Sequence, residues 1–576
     1  MIIETNQQTN EPLLKEPIEE KKDRNGSTFS GTLVLLVEFF ERISFYSLMA
    51  NLLLFSKVIL GISSVNSIII VLVFNGFSYF LSLFGRWFAD SIFGRFHAIF
   101  GSVLFYNIGN AGIVVIAYIM KKENYDYYPH FFIISLIFIS LGASGMKANI
   151  STFAARQVIH FGDIHVRKLF NRFYWLINFA AVISCTFVAY LQLQDFLYGY
   201  LPGLCGTVLA TIIFICSKRY FVIKRSNGSH LTDIFNIVTQ SIKRKYKFQK
   251  SISEEIPKHT TLDLLEYGHI MFGGSYSTDQ IDIVRSFSRI LLIFMTLLVY
   301  WTIYFQMPSV FFFQSHFFDL KIRGFQIPAS AMNLFDTFSI LLMIQIMEHL
   351  VYPFFQYVNI HLTTLRRMGF GFFLVTLSMV YAALIEPYRR QNVDFQNTNI
   401  IMNTTFHCSN YTVLWQAPQF VLIGFSEFFT SISGLEFAYS QSPRYLQGIV
   451  MSLFLTTSGL GAFLGALIVK LTSVYKKEWL CENINKCSLE YYYYLLAGLS
   501  LLNLLIFMVV SKNFSYSVPF IGTISHSRSS RSLATPTDIS DITDLASDAN
   551  GVSSRIDLSR QSSFEDVDSI SRSSND

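Results

Sequence analysis

Apolar runs of about 20 residues, separated by short polar turns, recur near 31–56, 67–89, 97–120, 130–154, 172–194 and 199–221. Helix at about 1.5 Å per residue crosses the ~30 Å hydrocarbon core of a bilayer in about 20 residues, so each run predicts one membrane span. A polar stretch over 223–285 interrupts the series, which resumes near 287–312, 326–351, 367–386, 412–438, 447–473 and 489–511. The pattern predicts an all-α membrane protein of twelve spans in two six-helix bundles, 31–222 and 286–512, joined by a linker over 223–285. The leader 1–30 is polar and charged, so the first apolar run is expected to be a membrane helix and not a cleaved signal peptide. Segment 513–576 is rich in Ser, Arg and Asp with almost no aromatics; it cannot bury enough apolar surface to offset ordering entropy and is expected to be a disordered tail.

Composition sharpens this picture. The chain is 52% hydrophobic, 16% aromatic and only 14% charged, with a mean hydropathy of +0.41. A soluble surface needs roughly a quarter charged residues, so much of the outside must face lipid. The net charge of +5 forms no basic stripe interleaved with aromatics, and nucleic acid is not an expected partner. Cys185, Cys205 and Cys216 fall in apolar segments; a bridge among Cys408, Cys481 and Cys487, all in polar connections, is open, and no metal-ligand spacing occurs.

Basic residues set the expected orientation. Lys243, Arg244, Lys245 and Lys247 in the linker, with Arg95, Arg167, Lys168, Arg366 and Arg367 in short loops, place those loops and both termini in the cytosol. The loop after the ninth span then faces a lumen or the exterior, where the sequons at Asn403 and Asn410 offer glycan acceptors. Ser527, Ser529 and Ser530 beside Arg offer phosphorylation sites, and Glu11-Pro12-Leu13-Leu14 is a loose match to a dileucine sorting signal.

The first span carries Glu38, Glu41 and Arg42, three charges within five residues. Each costs roughly 2.5–3.5 kcal/mol at a helix centre unless paired or hydrated. Glu38 lies three residues before Glu41 and four before Arg42, so all three share one face, with which Tyr46 roughly aligns. Other charges expected within the membrane are Lys147, Asp336, Glu427 and Glu436. A carboxylate and an ammonium across a wet cavity can take up and release a proton as water comes and goes, whereas static interhelical pairing is the plainer alternative.

The ordered motifs resemble the proton-dependent oligopeptide transporter family, a branch of the major facilitator fold. They are Glu38-x-x-Glu41-Arg42 with Phe45-Tyr46; Ala89-Asp90 to Gly94; Phe170-Asn171-Arg172-Phe173-Tyr174-Trp175-Leu176-Ile177-Asn178; and Glu427 followed by Ser442-Pro443. The resemblance covers nearly all of the membrane portion. It implies a carrier, not an enzyme, with the proton as co-substrate and no other cofactor. Glu38, Glu41, Arg42, Lys147 and Glu427 would take part in proton coupling; Tyr46, Tyr79, Asn178, Trp301 and Glu427 would contact substrate. Further stretches, Tyr300-Trp301-Thr302-Ile303-Tyr304-Phe305-Gln306-Met307 and Gly434-Leu435-Glu436-Phe437 among them, look like the peptide/histidine branch of solute carrier family 15. That likeness implies export of histidine and di- or tripeptides from an acidic endosomal or lysosomal lumen, with the plasma membrane as another location. The rival from a different class is a transport-poor scaffold or sensor whose linker and tail recruit a cytosolic signalling adaptor.

Departures from the family pattern matter. Met49 and Phe305 stand where peptide carriers hold an Arg and its acidic partner. Losing both together leaves no buried charge unpaired, and it also removes a group expected to clamp a peptide carboxylate. Arg86 and Ala180 replace family glycines, which predicts altered helix contacts there.

Overall fold

A bilayer offers no water to satisfy backbone amides, so each apolar run closes its hydrogen bonds within itself as helix. The computed structural model describes residues 28–120, 128–223, 228, 230–251, 263–270, 274–358, 363–401, 404–442 and 446–514. The dileucine, Asn403, Pro443 and the Ser-rich tail beyond residue 514 lie outside them. The first half comprises α1 (Thr28–Leu54), α2 (Ser64–Phe80), α3 (Ser82–Phe88), α4 (Gly94–Met120), α5 (Tyr128–Val158), α6 (Asp163–Ile183), α7 (Ala189–Gln194) and α8 (Phe196–Cys216). After linker helix α9 (His230–Ser251) come α10 (Thr278–Tyr304), α11 (Phe312–Ser315), α12 (Asn333–Ile346), α13 (Tyr352–Tyr357), α14 (Thr364–Gln391), α15 (Ala417–Glu427), α16 (Ser433–Ser440), α17 (Gln447–Tyr475) and α18 (Leu489–Lys512). Single π-helical turns join several of the short pieces, including Ser184–Val188 between α6 and α7 and Phe428–Ile432 between α15 and α16.

Among the described residues, ten helical stretches are long and apolar enough to cross a membrane. The expected twelve is reached only by two further steps. Ser64–Met120, at 57 residues, is far longer than one crossing needs and breaks at Gly94, whose φ of 73° is a turn that glycine adopts freely. The charged α1 must then be added, since it is not among the ten. Outward faces expose Phe105, Ile108, Ile212, Leu292, Leu502 and Val509, as a lipid-facing belt requires.

The halves meet along a seam between α2 and α17. A Cβ at Gly459 would lie 2.4 Å from the Phe80 amide nitrogen and 2.6 Å from the Gly76 carbonyl, and one at Gly76 would lie 2.4 Å from the Phe463 ring. Small residues let helix backbones approach where no hydrophobic drive separates protein from lipid. Arg86 fills the next part of this seam. Its Nε lies 2.7 Å from Asp90, its Nη1 donates to Thr152 and to the Ala148 carbonyl, and its Nη2 would stand 2.4 Å from a Cβ at Gly448. The helix contacts there are thus rebuilt around a guanidinium.

At the end remote from the linker, two antiparallel hairpins cap the bundle: β1 (Lys321–Ile322) with β2 (Phe325–Gln326), and β3 (Val393–Ile401) with β4 (Thr404–Ser409). Asn399 pins the second by donating to the carbonyls of His316 and Phe318. Asn410 is exposed at its edge. Cys481 and Cys487 are bridged, with Cα atoms 6.3 Å apart, and Cys408 stays a buried free thiol; this settles which of the three pair. Beneath the hairpin Glu386 and Arg389, both fully buried, form a two-pronged pair at 2.6 and 2.9 Å, with Gln314 donating to Glu386 and Arg389 donating to Asn485.

The bridged loop also holds the halves together. Lys57 Nζ lies 2.5 Å from Glu482 Oε1, the Ser64 amide donates to Glu482 Oε2 at 2.8 Å, and the Lys57 ammonium stands 5.4 Å over the Phe313 ring. Tyr190 stacks on Phe325, and Ser330 donates to the Cys185 carbonyl, adding ties between the halves at this end. Burial pushes the Glu482 carboxyl up, but the hydrogen bonds from Lys57 and Ser64 outweigh it and leave the group below the ordinary carboxylate range. A lowered value means the latch is complete above the ordinary Glu value and is lost only as pH falls through the lowered one. Glu482 is 59% exposed, so the tie is screened and modest. Glu482→Gln is expected to raise reactivity of a cysteine placed at residue 64 toward a membrane-impermeant maleimide by a fewfold at neutral pH. The difference from wild type should vanish below the carboxylate range; equal reactivity at neutral pH would show that the pair ties nothing.

The linker is not simply polar. Ile234 and Ile237 of α9 pack with Leu265, Ile281, Val284 and Leu446, while Trp87 of α3 donates its indole N–H to Thr232, so one amphipathic helix touches both halves.

Candidate functional site

The charged face of α1 is buried, and its three groups satisfy one another. Arg42 Nε lies 2.5 Å from Glu41 Oε2 and 3.1 Å from Glu38 Oε1, and Arg42 Nη2 also meets Glu41. One guanidinium fork thus serves two carboxylates, Glu38 through i,i+4 spacing and Glu41 as its chain neighbour. One oxygen of each, Glu38 Oε2 and Glu41 Oε1, is buried without a hydrogen-bond partner among the described residues. Such atoms are costly in hydrocarbon and suit a site where a proton or a water is taken up.

Lys147 on α5 differs from expectation. Instead of an ion pair with Glu38 or Glu41, its ammonium sits 3.5 Å over the Tyr79 ring and 3.8 Å over the Phe45 ring, and Nζ has no hydrogen-bond partner among the described residues. Aromatic faces hold a cation weakly compared with a carboxylate, by about 0.5–2 kcal/mol, so Lys147 is parked in range of Arg42, Glu41 and Glu38 without being bound to them. Arg42 shares the same Phe45 ring, at 5.3 Å.

Tyr79 stands between the two halves. Besides receiving Lys147 it packs 5.8 Å from Phe305 and lies within electrostatic range of Arg42 and Glu41 on one side and Glu427 on the other. Tyr46, one turn beyond Arg42 on α1, faces the same charges. Trp301 is buried against Tyr300, Tyr304, Phe305 and Phe454 at 5.1–6.3 Å, so it is first of all a packing residue. Met49 and Phe305, where the family's ion pair would be, make apolar contacts. The Asn75 amide points to Met49 Sδ at 3.6 Å, and Phe305 lies between Tyr79 and Trp301.

In the second half, Glu427 ends α15 with its carboxylate near the Tyr304 hydroxyl. Asp336 of the facing helix α12 lies within electrostatic range of Glu427, and its backbone abuts Gly424, where a Cβ would meet the Asp336 carbonyl at 2.6 Å. Tyr174 of α6 crosses from the first half to pack with Ile340, Leu374 and Phe428, in range of both carboxylates. Asn178 stands one turn further, its amide donating to the Tyr174 carbonyl at 2.9 Å. Glu436 is elsewhere: its carboxylate lies 2.6 Å from Arg367, a closed interhelical pair. Of the expected residues, Glu38, Glu41, Arg42, Lys147, Tyr46, Tyr79 and Glu427 converge, and Asn178 flanks them through Tyr174. Asp336 is the member sequence reading left without a role; its only signal was a carboxylate within an apolar run.

Residues 96–486 match the POT family. The chain belongs to the POT family. Rattus norvegicus solute carrier family 15 member 3 is 29% identical over 529 residues, covering 83% of this chain and 90% of that one. The Arabidopsis thaliana protein NRT1/PTR FAMILY 8.1 is 27% identical over 557 residues, covering 86% and 95%. The crystal structure of an auto-inhibited POT family peptide transporter superposes with a TM-score of 0.69 at 20% identity, over 85% of this chain and 98% of that one, a likeness of fold. As a POT family member the chain is a multi-pass transporter with the major facilitator fold, not an enzyme. POT transporters draw on protons and need no cofactor, and a proton as co-substrate fits the unpartnered carboxylate oxygens of Glu38 and Glu41.

Proposed function

We propose that this POT transporter is a symporter carrying histidine and di- and tripeptides with protons from an acidic lumen to the cytosol by alternating access of its two halves. The observation that carries the reading is the buried constellation split across the seam: Glu38, Glu41, Arg42 and Lys147 on one side, Glu427 on the other, with Tyr79 between. Protonating Glu41 or Glu38 releases Arg42 from one carboxylate and draws Lys147 less strongly, changing which closure is favoured. Glu427 receives the substrate's ammonium, Asn178 hydrogen-bonds its backbone, and Tyr46, Tyr79 and Trp301 supply aromatic walls. With basic loops in the cytosol, the Lys57–Glu482 latch faces the lumen. Asn403 and Asn410 are then glycan acceptors, and replacing both with Gln is expected to abolish a glycosidase-sensitive mobility shift; a wild-type chain with no such shift would contradict this placement of the distal face. Endosomes and lysosomes fit the acidic-lumen reading.

The test is uptake of labelled histidine and alanyl-alanine into proteoliposomes at external pH of about 5.5 and about 7.5, a range that brackets imidazole titration. Faster uptake at the acidic value, abolished by a protonophore, is expected. Uptake indifferent to both would remove proton coupling, and uptake of alanyl-alanine alone would remove histidine.

A further inference from the structure

We propose that Asp336 completes, with Glu427, a two-carboxylate subsite that takes a second positive charge on the substrate: the side-chain ammonium or imidazolium of a cationic amino acid or peptide. The inference rests on the carrier reading above and names the substrate class of that same site.

Asp336 is 8% exposed, and its Oδ1 has no hydrogen-bond partner among the described residues. Neither Asp336 nor Glu427 has an ion-pair partner among those residues. Two buried arginines of this half are spoken for: Arg367 holds Glu436, and Arg389 holds Glu386. The two halves are therefore unequal. In the first, Arg42 and Lys147 balance Glu38 and Glu41. In the second, Asp336 and Glu427 lie on adjacent helices with no cation paired to either among the described residues.

A buried carboxylate without a counter-charge either holds a proton or is met by something positive, and a cationic substrate group supplies the second. A peptide's single α-ammonium satisfies one carboxylate. The free oxygen of Asp336, held on α12 where its backbone abuts Gly424 of the helix that carries Glu427, calls for another. Tyr174 packs beside both groups and offers the planar face on which an imidazolium or an alkyl-ammonium stem can lie. A structural carboxylate would instead be closed by a partner, as Glu436 is.

The test uses the full chain with Asp336→Asn, which keeps shape and removes charge. Binding of lysyl-alanine and of alanyl-alanine is measured by scintillation proximity, and uptake of both in proteoliposomes. We expect lysyl-alanine binding to weaken by about tenfold or more while alanyl-alanine changes less than about twofold. The ratio of the two does not depend on protein yield, so it remains decisive if the variant accumulates poorly. An unchanged ratio, whether both peptides weaken together or neither does, overturns the subsite. Selective loss of lysyl-alanine binding without any uptake by wild type would instead uphold the subsite and remove the carrier reading.

Discussion

Glu41→Gln is expected to lower proton-driven accumulation of alanyl-alanine by about a hundredfold while leaving peptide counterflow largely intact. Glu41 is 1% exposed and is the closer of the two carboxylates on Arg42. Glutamine keeps the volume and an acceptor oxygen, so packing survives, but it fixes the site in the charge state of a protonated acid. An unbalanced charge at mid-membrane costs roughly 2.5–3.5 kcal/mol, which is the scale of the rate loss when the carrier can no longer cycle through both states. Counterflow needs no change of protonation and should persist. Glu436→Gln is the matched control: its carboxylate is tied to Arg367 away from the seam, so yield should drop without altering pH dependence. If Glu41→Gln accumulates peptide as wild type does, the α1 triad is structural only.

Arg389→Ala is expected to destabilise the fold by about 3–5 kcal/mol, seen as loss of monodisperse protein and a lowered melting temperature in detergent. The guanidinium is fully buried, and removing it leaves Glu386, also fully buried, with only Gln314 to answer it. Breaking one partner of a buried pair costs far more than replacing both. Glu386→Gln combined with Arg389→Met should therefore recover much of the stability, and a single mutant melting with wild type would show that the pair is hydrated.

Much of this was legible because the decisive residues are neighbours in sequence. Glu38, Glu41 and Arg42 lie within two helical turns, so their spacing predicts a shared face and the i,i+4 pair of Glu38 with Arg42, but not the closer contact of Arg42 with its neighbour Glu41. Other features depend on contacts between distant segments. Lys57 meets Glu482 across 425 residues, and nothing in either local segment marks the other. Lys147 is an intramembrane cation by sequence, but that the rings of Phe45 and Tyr79 hold it is set by side-chain direction and not by depth. The linker reads as basic and polar because its charged residues conceal the helical repeat of Ile234 and Ile237, which becomes visible only against Leu265 and Leu446. Glu427 and Glu436 share the tenth apolar run, but nine residues apart they do not fall on one helical face, and one meets Arg367 while the other lies near Tyr304.

The proposed carrier cycle requires acids in the two halves whose protonation is coupled to peptide movement. The direct measurement is of protons: liposomes holding the purified chain and a trapped pH-sensitive dye, given alanyl-alanine outside with no imposed gradient. Internal acidification that follows peptide concentration, and that disappears in Glu41→Gln, is the predicted result. Peptide entry without acidification would contradict it.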